Sequence, residues 1–350
     1  IFLKNKYPKE FFLTLLQMSN EESDKHEIIA TIKKEMDAFG IKLRSPHILH
    51  SDIDYKIYNG DIIMGLSSIK NISDKAILHL RDFQNQYSSK FDVFRASDLC
   101  KLNAAVMSSL ILAGSLDDVL TESRAKTLAE YNIWRLMKTK EKDWATKLGP
   151  EYNYNLIEIV KALNEKIRGD NGKFIIKDSR RGTIRRDFMP FLEQYNFNKK
   201  HEKLANWFFE SKLLGFAYST SLFEIYKNDV ENLVPISEIA GDLEKSKHTF
   251  VCEVVEAKLG QSKEKKTPYL KLNVKDHSNE LRVMIFNGKN NAKLDQCREL
   301  NNNKLPKEGD ICIIKATKMD GNTVFADQIT IQMIDVFLKI SQLPKDKLNN

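Results

Sequence analysis

The stretch that decides the fold of the carboxyl-terminal part reads YLKLNVKDHSNELRVMIF and covers residues 269–286. Apolar side chains occupy every second position on both sides of a polar turn, which is the pattern of strands that each bury one face. The stretch therefore predicts two β-strands that share one core. The residues that carry the pattern are Leu270, Leu272 and Val274 before the turn and Leu281, Val283 and Ile285 after it.

The same alternation continues outward from this stretch. A preceding strand is predicted around 250–255, and two further strands around 311–313 and 324–331 are joined by a turn at Asp320-Gly321-Asn322. A helical insert is predicted at about 288–300. Five strands with a helix between the third and the fourth follow the order of an OB-fold, a small, partly open Greek-key barrel. We therefore expect a multidomain α+β protein in which helical regions precede a five-stranded OB-fold.

The composition sets the outer limits on function. The chain has 350 residues, enough for two or three domains, and 55 Lys and Arg against 48 Asp and Glu give a net charge of +7, which permits a polyanionic partner without requiring one. The four cysteines form no CxxC pair, so neither a disulfide framework nor a zinc site is indicated and we expect a reducing, cytoplasmic setting. No apolar stretch reaches membrane-spanning length. The chain does not begin with Met, which we interpret as a cut edge.

The helical part contains a candidate hairpin in GLSSIKNISDKAIL, residues 65–78. Ser73 is a good N-cap for the second helix, and the backbone N–H groups of such a turn can meet a phosphate. A second hairpin is predicted in LILAGSLDD, residues 110–118, where Asp117 and Asp118 repel phosphate. Alternatively, both pairs of helices only complete a core. The candidate DNA-binding residues of the hairpins are Lys70, Asn71, Ile72, Ser73, Lys75 and Gly114.

The predicted barrel offers a second candidate surface for nucleic acid. OB-folds bind single strands across strands two and three and the loop between strands one and two, with cations on phosphates and flat rings on bases. That loop is predicted as KLGQSKEKKTPY, residues 258–269. Alternatively, the lysines are a solvated surface run and Phe286 packs beneath the barrel helix. The candidate residues are Lys258, Lys263, Lys265, Lys266, Tyr269, Lys271, Arg282 and Phe286.

A third basic segment, KDSRRGTIRR at 177–186, is predicted as part of a hairpin or a mobile loop. Its arginines could bind phosphate through their planar forks or could be ordinary surface residues. The four arginines are Arg180, Arg181, Arg185 and Arg186. The sequence shows no clustered carboxylates, no HExxH and no phosphate-binding loop, so the residues themselves predict a polyanion-binding scaffold without catalytic or metal-binding residues of its own.

Several segments together resemble landmarks of one family. They are FLKNKYPKEFFLTLL, MDAFGIKLRSPHI, IIMGLSSIKNISDKAI, LNAAVMSSLILAGSLDDV and ESKLLGFAYSTSLFEIY, followed by the predicted barrel. In this order they resemble the bacterial C-family replicative DNA polymerases, the DNA polymerase III alpha subunits. The chain departs from the family where its hairpin glycines become Asn71 and Ser73, and where SGHP becomes Ser219–Leu222. The segment 171–186 looks like an insertion.

The resemblance implies a domain organisation. Residues 1–55 would be the end of the fingers, 56–135 a tandem helix-hairpin-helix region, 136–232 a helical connector, 233–336 the OB-fold and 337–350 a tail. The connector could dock a sliding clamp, for which QYNF at 194–197 is the nearest candidate peptide.

The resemblance also implies a function. The chain would hold primer-template duplex and single-stranded template as part of a DNA-directed DNA polymerase (EC 2.7.7.7) in DNA replication. The palm carboxylates and their two Mg²⁺ ions would lie upstream, in an N-terminal catalytic part that is a partner of this chain. The alternative is a stand-alone single-stranded-DNA-binding or clamp-associated accessory protein without polymerase activity.

Overall fold

The computed structural model describes residues 2–20, 22, 25–120, 123–169, 172–262, 266–288 and 291–332. The described residues divide after Tyr218 into two compact units, a helical unit and a unit that contains the barrel. The finer domain boundaries predicted from the resemblance stay predictions.

The helical unit is built from twelve helices and one small sheet within the described residues. The three-stranded sheet has the order β1-β3-β2 and is followed directly by the predicted hairpin. The strands are β1 Leu43–Arg44, β2 Lys56–Tyr58 and β3 Asp61–Ile63. The helices are α1 Phe2–Lys6, α2 Pro8–Ser19, α3 Lys25–Ala38, α4 Asp74–Phe83, α5 Lys90–Leu99, α6 Ala104–Leu112, α7 Asp117–Leu120, α8 Arg124–Leu136, α9 Thr139–Leu148, α10 Leu156–Glu165, α11 Asp178–Asn198 and α12 Glu202–Leu214.

Local sequence signals explain where these helices begin. The side chains of Ser73, Ser89, Asn103, Ser123 and Asn155 accept hydrogen bonds from the first turns of α4, α5, α6, α8 and α10. An N-cap of this kind stabilises a helix by about 1 kcal/mol, because it satisfies a backbone N–H that has no partner within the helix. The buried faces of the helices meet in one continuous core that runs from Phe12 to Leu214.

The basic segment at 177–186 differs from the prediction. It forms the first half of the 21-residue helix α11, so the expected hairpin or mobile loop was wrong. Ile184 and Phe188 are one helical turn apart and are only 4% and 1% exposed, which anchors this helix to the core. The four arginines and the glycine at position 182 obscure this helical spacing in the sequence.

The second unit contains the predicted OB-fold, which is confirmed. Its sheet has the order β5-β4-β8-β9-β6-β7, and an additional β5–β6 pairing closes the first five of these strands on themselves. Only the β6–β9 pair is parallel among the described strands of this sheet. The elements are α13 Leu222–Tyr226, α14 Ile236–Gly241, β4 Lys247–Gln261, β5 Pro268–Lys275, β6 Glu280–Gly288, β7 Asn291–Ala292, α15 Lys293–Leu300, β8 Ile311–Lys318 and β9 Thr323–Gln332.

The alternating residues quoted at the start form the interior of this barrel. Leu270, Leu272 and Val274 of β5 are at most 2% exposed, and so are their alternating counterparts in β6. The helix α15 lies between the third and fourth barrel strands, as the sequence predicts. Within the described parts of both units, no helix combines the length and the apolar character needed to cross a bilayer.

Candidate nucleic-acid interface

The predicted hairpin turn at 69–73 has a backbone suited to a close approach by another chain. Asn71 adopts a left-handed conformation with φ 73°, which the family's glycine would adopt without strain and which asparagine tolerates better than most residues. Ser73 caps α4, and its Oγ accepts a hydrogen bond from the N–H of Ala76 at 3.4 Å. Asn71 therefore supplies the left-handed turn position without a glycine, and Ser73 begins α4.

Some backbone N–H groups of this turn are available to an anion, whereas those of Ile69, Lys70 and Ile72 donate to carbonyl oxygens of the protein. The N–H of Lys70 donates to the carbonyl oxygen of Leu213 at 2.9 Å, so it is used within the fold. The N–H groups of Asn71, Ser73 and Lys75 have no acceptor in the part of the chain that the structure describes. The side chains of Lys70 and Lys75 are exposed beside them. The turn thus offers donors and positive charge at the start of α4, where the helix dipole also favours an anion.

A second turn with the same backbone pattern lies between α5 and α6, and the sequence reading missed it. Lys101 is left-handed with φ 56°, and two residues later Asn103 caps α6 by accepting from the N–H of Val106 at 2.9 Å. The pattern Lys101-Leu102-Asn103 therefore matches Asn71-Ile72-Ser73 in backbone conformation. Neither turn contains glycine. In the sequence, the similarity of the two turns is visible only in their shared order of a polar residue, an aliphatic residue and an N-cap residue.

The hairpin predicted at Gly114 lies in a different environment. Gly114 is buried with φ 74°, and an added Cβ would lie 2.0 Å from Tyr218 Oη and 2.2 Å from Arg124 Nη2. Arg124 is held there by Asp117, with Nη2–Oδ2 at 2.6 Å, and by the fully buried Glu210, with Nη1–Oε1 at 2.6 Å. This position is therefore filled by the protein's own ion pairs, and the structure gives Gly114 a packing role.

The ionisation of this buried cluster is fixed by its geometry. Burial by itself lowers the pKa of Arg124, but the hydrogen bonds that its guanidinium donates to Asp117 and the charge of Glu210 raise it above its ordinary value. The guanidinium therefore stays charged. Asp118, the other acidic residue of this turn, bonds to His47, with Oδ2–Nε2 at 2.9 Å.

The second candidate surface is the outer face of the barrel formed by β5, β6 and β9. In the register of these strands, Tyr269 pairs with Phe286, Lys271 with Met284 and Asn273 with Arg282. These outward positions alternate with the buried core positions. The parallel pairing of β6 with β9 then places Thr323 beside Arg282 and Phe325 beside Met284.

Three aromatic rings lie next to one another on this outer face. The ring centroids are 5.6 Å apart for Tyr269 and Phe286 and 5.4 Å apart for Phe286 and Phe325. Phe286 therefore does not pack beneath the barrel helix, which was the alternative left open by the sequence. Phe325 was missed, because only the parallel pairing of β6 and β9 brings the last strand to this face.

Gly260 lies beneath the first of these rings. Gly260 is the cross-strand partner of Tyr269, and a Cβ added there would be 2.6 Å from Cζ and 2.7 Å from Oη of the tyrosine. The absence of a side chain on β4 thus lets the Tyr269 ring lie against the backbone.

Several of the predicted cationic side chains lie on or near this outer face. Lys271 and Arg282 form no ion pair among the described residues, whereas Lys258 forms one with Glu256, whose carboxylate also interacts with the charge of Lys271. That hydrogen bond from Lys258 lowers the pKa of Glu256. Lys266 is exposed in the short β4–β5 loop, and Lys263 and Lys265 lie outside the described residues.

The sequence misplaced the start and the end of this loop. Lys258 and Tyr269 were predicted in the loop, but both lie on strands, because β4 and β5 stay paired as far as Gln261 and Pro268. Tyr269 therefore has a fixed position within the sheet.

The four arginines of the basic segment lie on α11 and are largely engaged. Arg180 bonds to Glu141, with Nε–Oε1 at 2.9 Å, and its guanidinium also donates to the carbonyl oxygen of Leu136. Arg181 lies 3.5 Å above the ring of Phe174 and donates to Asp178, and Arg186 pairs with Asp187. Arg185 is exposed. The side chains of Gln194, Asn196 and Phe197, in the candidate clamp peptide, lie outside the described residues.

No group of three or more His, Cys, Asp and Glu side chains in the described ranges could hold a metal ion. The chemistry that these two surfaces offer is the binding of anions and flat rings.

Part of the helical unit is similar to a known family of proteins. The sequence model of a family described as "Helix-hairpin-helix motif" matches residues 40–127. This range includes the turns at 69–73 and 99–103 and the buried turn at Gly114.

Curated relatives described as "DNA polymerase III subunit alpha" match larger parts of the chain. The protein of Thermus aquaticus is 31% identical over 144 residues, which are 40% of this chain and 12% of the relative. The Borreliella burgdorferi protein is 25% identical over 255 residues, 71% of this chain and 19% of the relative. The Buchnera aphidicola protein from Acyrthosiphon pisum is 22% identical over 300 residues, 82% of this chain and 22% of the relative. The resemblance predicted from the sequence landmarks is confirmed, and the chain spans between 12% and 22% of the length of these relatives.

Proposed function

We propose that this chain is a DNA-binding part of a replicative DNA polymerase of the DNA polymerase III alpha type. The observation that carries the proposal is the similarity to curated alpha subunits over as much as 82% of the chain. The helix-hairpin-helix match over 40–127 supports DNA binding by the helical unit.

In this proposal the helical unit grips the backbone of the primer-template duplex. The N–H groups of Asn71, Ser73 and Lys75 would contact a phosphate oxygen, and Lys70 and Lys75 would supply charge. Contacts of this type fix the position of the protein on the duplex without reading its sequence. The turn at Lys101–Asn103 would provide a second phosphate contact at the start of α6, because the N–H groups of Lys101 and Leu102 already donate to Asp98 and Ser97.

The barrel would hold the single-stranded template in the same proposal. Tyr269 and Phe286 would stack on bases, while Lys271, Arg282 and the lysines of the β4–β5 loop would track the phosphates. Stacking contributes about 1–3 kcal/mol of binding free energy per base. Each exposed lysine that contacts a phosphate contributes a binding free energy that falls as the salt concentration rises. Catalysis would depend on the palm carboxylates and Mg²⁺ ions of the N-terminal part of the polymerase. A sliding clamp is a further proposed partner of the full assembly.

The proposal is tested by reconstitution. The full chain would be combined with the catalytic part of a DNA polymerase III-type alpha subunit that lacks the corresponding region. We expect the chain to stimulate primer extension on a primed single-stranded template and to bind both duplex and single-stranded oligonucleotides. A Lys70→Ala/Lys75→Ala variant should lose duplex affinity more than single-strand affinity, and Lys166→Ala, on an exposed lysine outside the proposed surfaces, serves as the matched control.

A second candidate is a stand-alone single-strand-binding or clamp-associated accessory protein. The three-ring outer face of the barrel favours it, since such a face binds single strands without any catalytic partner. Single-strand binding without stimulation of any catalytic part would support this second candidate and refute the first. A chain that binds neither form of DNA at low salt would refute both.

A further inference from the structure

We infer that Phe325 on β9 is a third base-stacking residue of the barrel, so that the site for single-stranded nucleic acid extends across three strands. The inference rests on the proposed function of the barrel and adds a residue of the last strand to its stacking surface.

The register of the strands places Phe325 within the candidate surface. It lies beside Met284 in the parallel β6–β9 pairing, and Met284 lies beside Lys271 in the β5–β6 pairing. Its ring meets that of Phe286 edge to face, with an interplanar angle of 68°. Phe325 therefore continues the row of rings that begins at Tyr269.

The burial of these residues distinguishes this surface from the core. The neighbours of Phe325 along β9, Val324 and Ala326, are at most 2% exposed and point into the barrel, whereas Phe325 keeps 37% of its surface exposed. A large aromatic ring exposed on an outward strand position, at the end of a row of three rings, is typical of a surface that binds flat apolar groups.

The flanking charges indicate the class of ligand. Lys271 and Arg282 form no ion pair in the described ranges and lie in the rows next to the rings, although the charge of Lys271 also acts on Glu256 of β4, which is paired with Lys258. Rings for bases beside cations for phosphates fit an unpaired nucleic acid strand, whereas a duplex keeps its base faces stacked and inaccessible. Asp327 follows Phe325 on the same side of β9 but is held by Lys293 and by Thr317 Oγ1 at 3.0 Å, so its charge is partly neutralised.

The test uses the full chain and a fluorescent oligo-dT in anisotropy titrations at several salt concentrations. Phe325→Leu keeps an apolar side chain but removes the ring, and we expect it to weaken binding by about 5-fold to about 140-fold, the range that corresponds to one stacked base. The slope of affinity against salt should not change, because the ring carries no charge. Phe325→Tyr keeps the ring and should bind like the wild type.

Two controls separate binding from folding. Leu259 is 62% exposed and lies on the side of β4 opposite to that of Gly260 and Tyr269. Leu259→Ala removes an apolar side chain there and should leave the affinity for the oligonucleotide unchanged. Urea unfolding should give Phe325→Leu and wild type similar midpoints. In addition, ultraviolet crosslinking to an oligonucleotide that contains 5-iodo-deoxyuridine should label the β9 peptide.

The outcomes separate this inference from the proposed function. If Tyr269→Leu weakens binding but Phe325→Leu binds like the wild type and β9 is not crosslinked, the inference about Phe325 is wrong and the single-strand site stands. If the wild-type chain binds no single strands even at low salt, the proposed role of the barrel fails and the inference fails with it.

Discussion

Gly260→Ala provides the sharpest test of the barrel surface, because the structure predicts an effect on binding without a comparable effect on folding. The new Cβ would lie 2.6 Å from Tyr269 Cζ and 2.7 Å from Oη. Carbon atoms in contact are normally about 3.5–4.0 Å apart, so the ring must move by about 1 Å or more. The atoms that clash are the free end of a tyrosine side chain, which can rotate away.

The expected change in stability is small. A side chain displaced by about 30° from its rotamer costs about 0.5–1.5 kcal/mol, while alanine in a strand is favoured over glycine by about 0.5–1 kcal/mol. These terms oppose each other, so the free energy of unfolding should change by less than about 1 kcal/mol. The affinity for a single strand should fall by up to the value of one stacked base, about 1–3 kcal/mol.

The assay is an anisotropy titration with oligo-dT at constant salt, combined with urea unfolding of the same samples. Gly241→Ala is the matched control, because a Cβ at this glycine of the same unit meets nothing within 4 Å. A double variant with Tyr269→Leu should bind no more weakly than Tyr269→Leu alone, since both changes act on one ring. If Gly260→Ala binds oligo-dT with wild-type affinity while Tyr269→Leu binds more weakly, the position of the Tyr269 ring against β4 does not affect binding and the reasoning from Gly260 is refuted.

Three further predictions concern the charges, the turn and the buried ion pairs. Lys271→Ala/Arg282→Ala should flatten the salt dependence of single-strand binding by about 0.7 log units per log unit of salt for each lost phosphate contact, and an unchanged slope in the titration would exclude both side chains from the site. Asn71→Ala should reduce the free energy of unfolding by about 1–2 kcal/mol because of its left-handed backbone, whereas Asn71→Gly should not; equal urea midpoints for the two variants would contradict this. Glu210→Ala should cost about 3–5 kcal/mol by leaving the buried Arg124 without one of its partners, and thermal and urea unfolding that show a loss below 1 kcal/mol would contradict the strength of this pair.

The sequence by itself determined the elements whose signals are local. The alternation in 269–286 sufficed to identify the buried strands, because the two-residue period of a strand directly reports which face is in the core. Ser73 was recognised as an N-cap for the same reason, since the capping hydrogen bond spans only three residues. The hairpin and the positions of the barrel strands along the chain followed from such local patterns.

The tertiary structure decided what depends on residues far apart in the chain. Phe325 joins Tyr269 and Phe286 only because β9 pairs in parallel with β6, and no local pattern encodes that pairing. Likewise, Arg124 meets a carboxylate 86 residues away, and the sequence could not show that this guanidinium lies against Gly114. Local periodicity fixes which side of an element is buried, but only the packing of the whole chain fixes which outward side chains become neighbours.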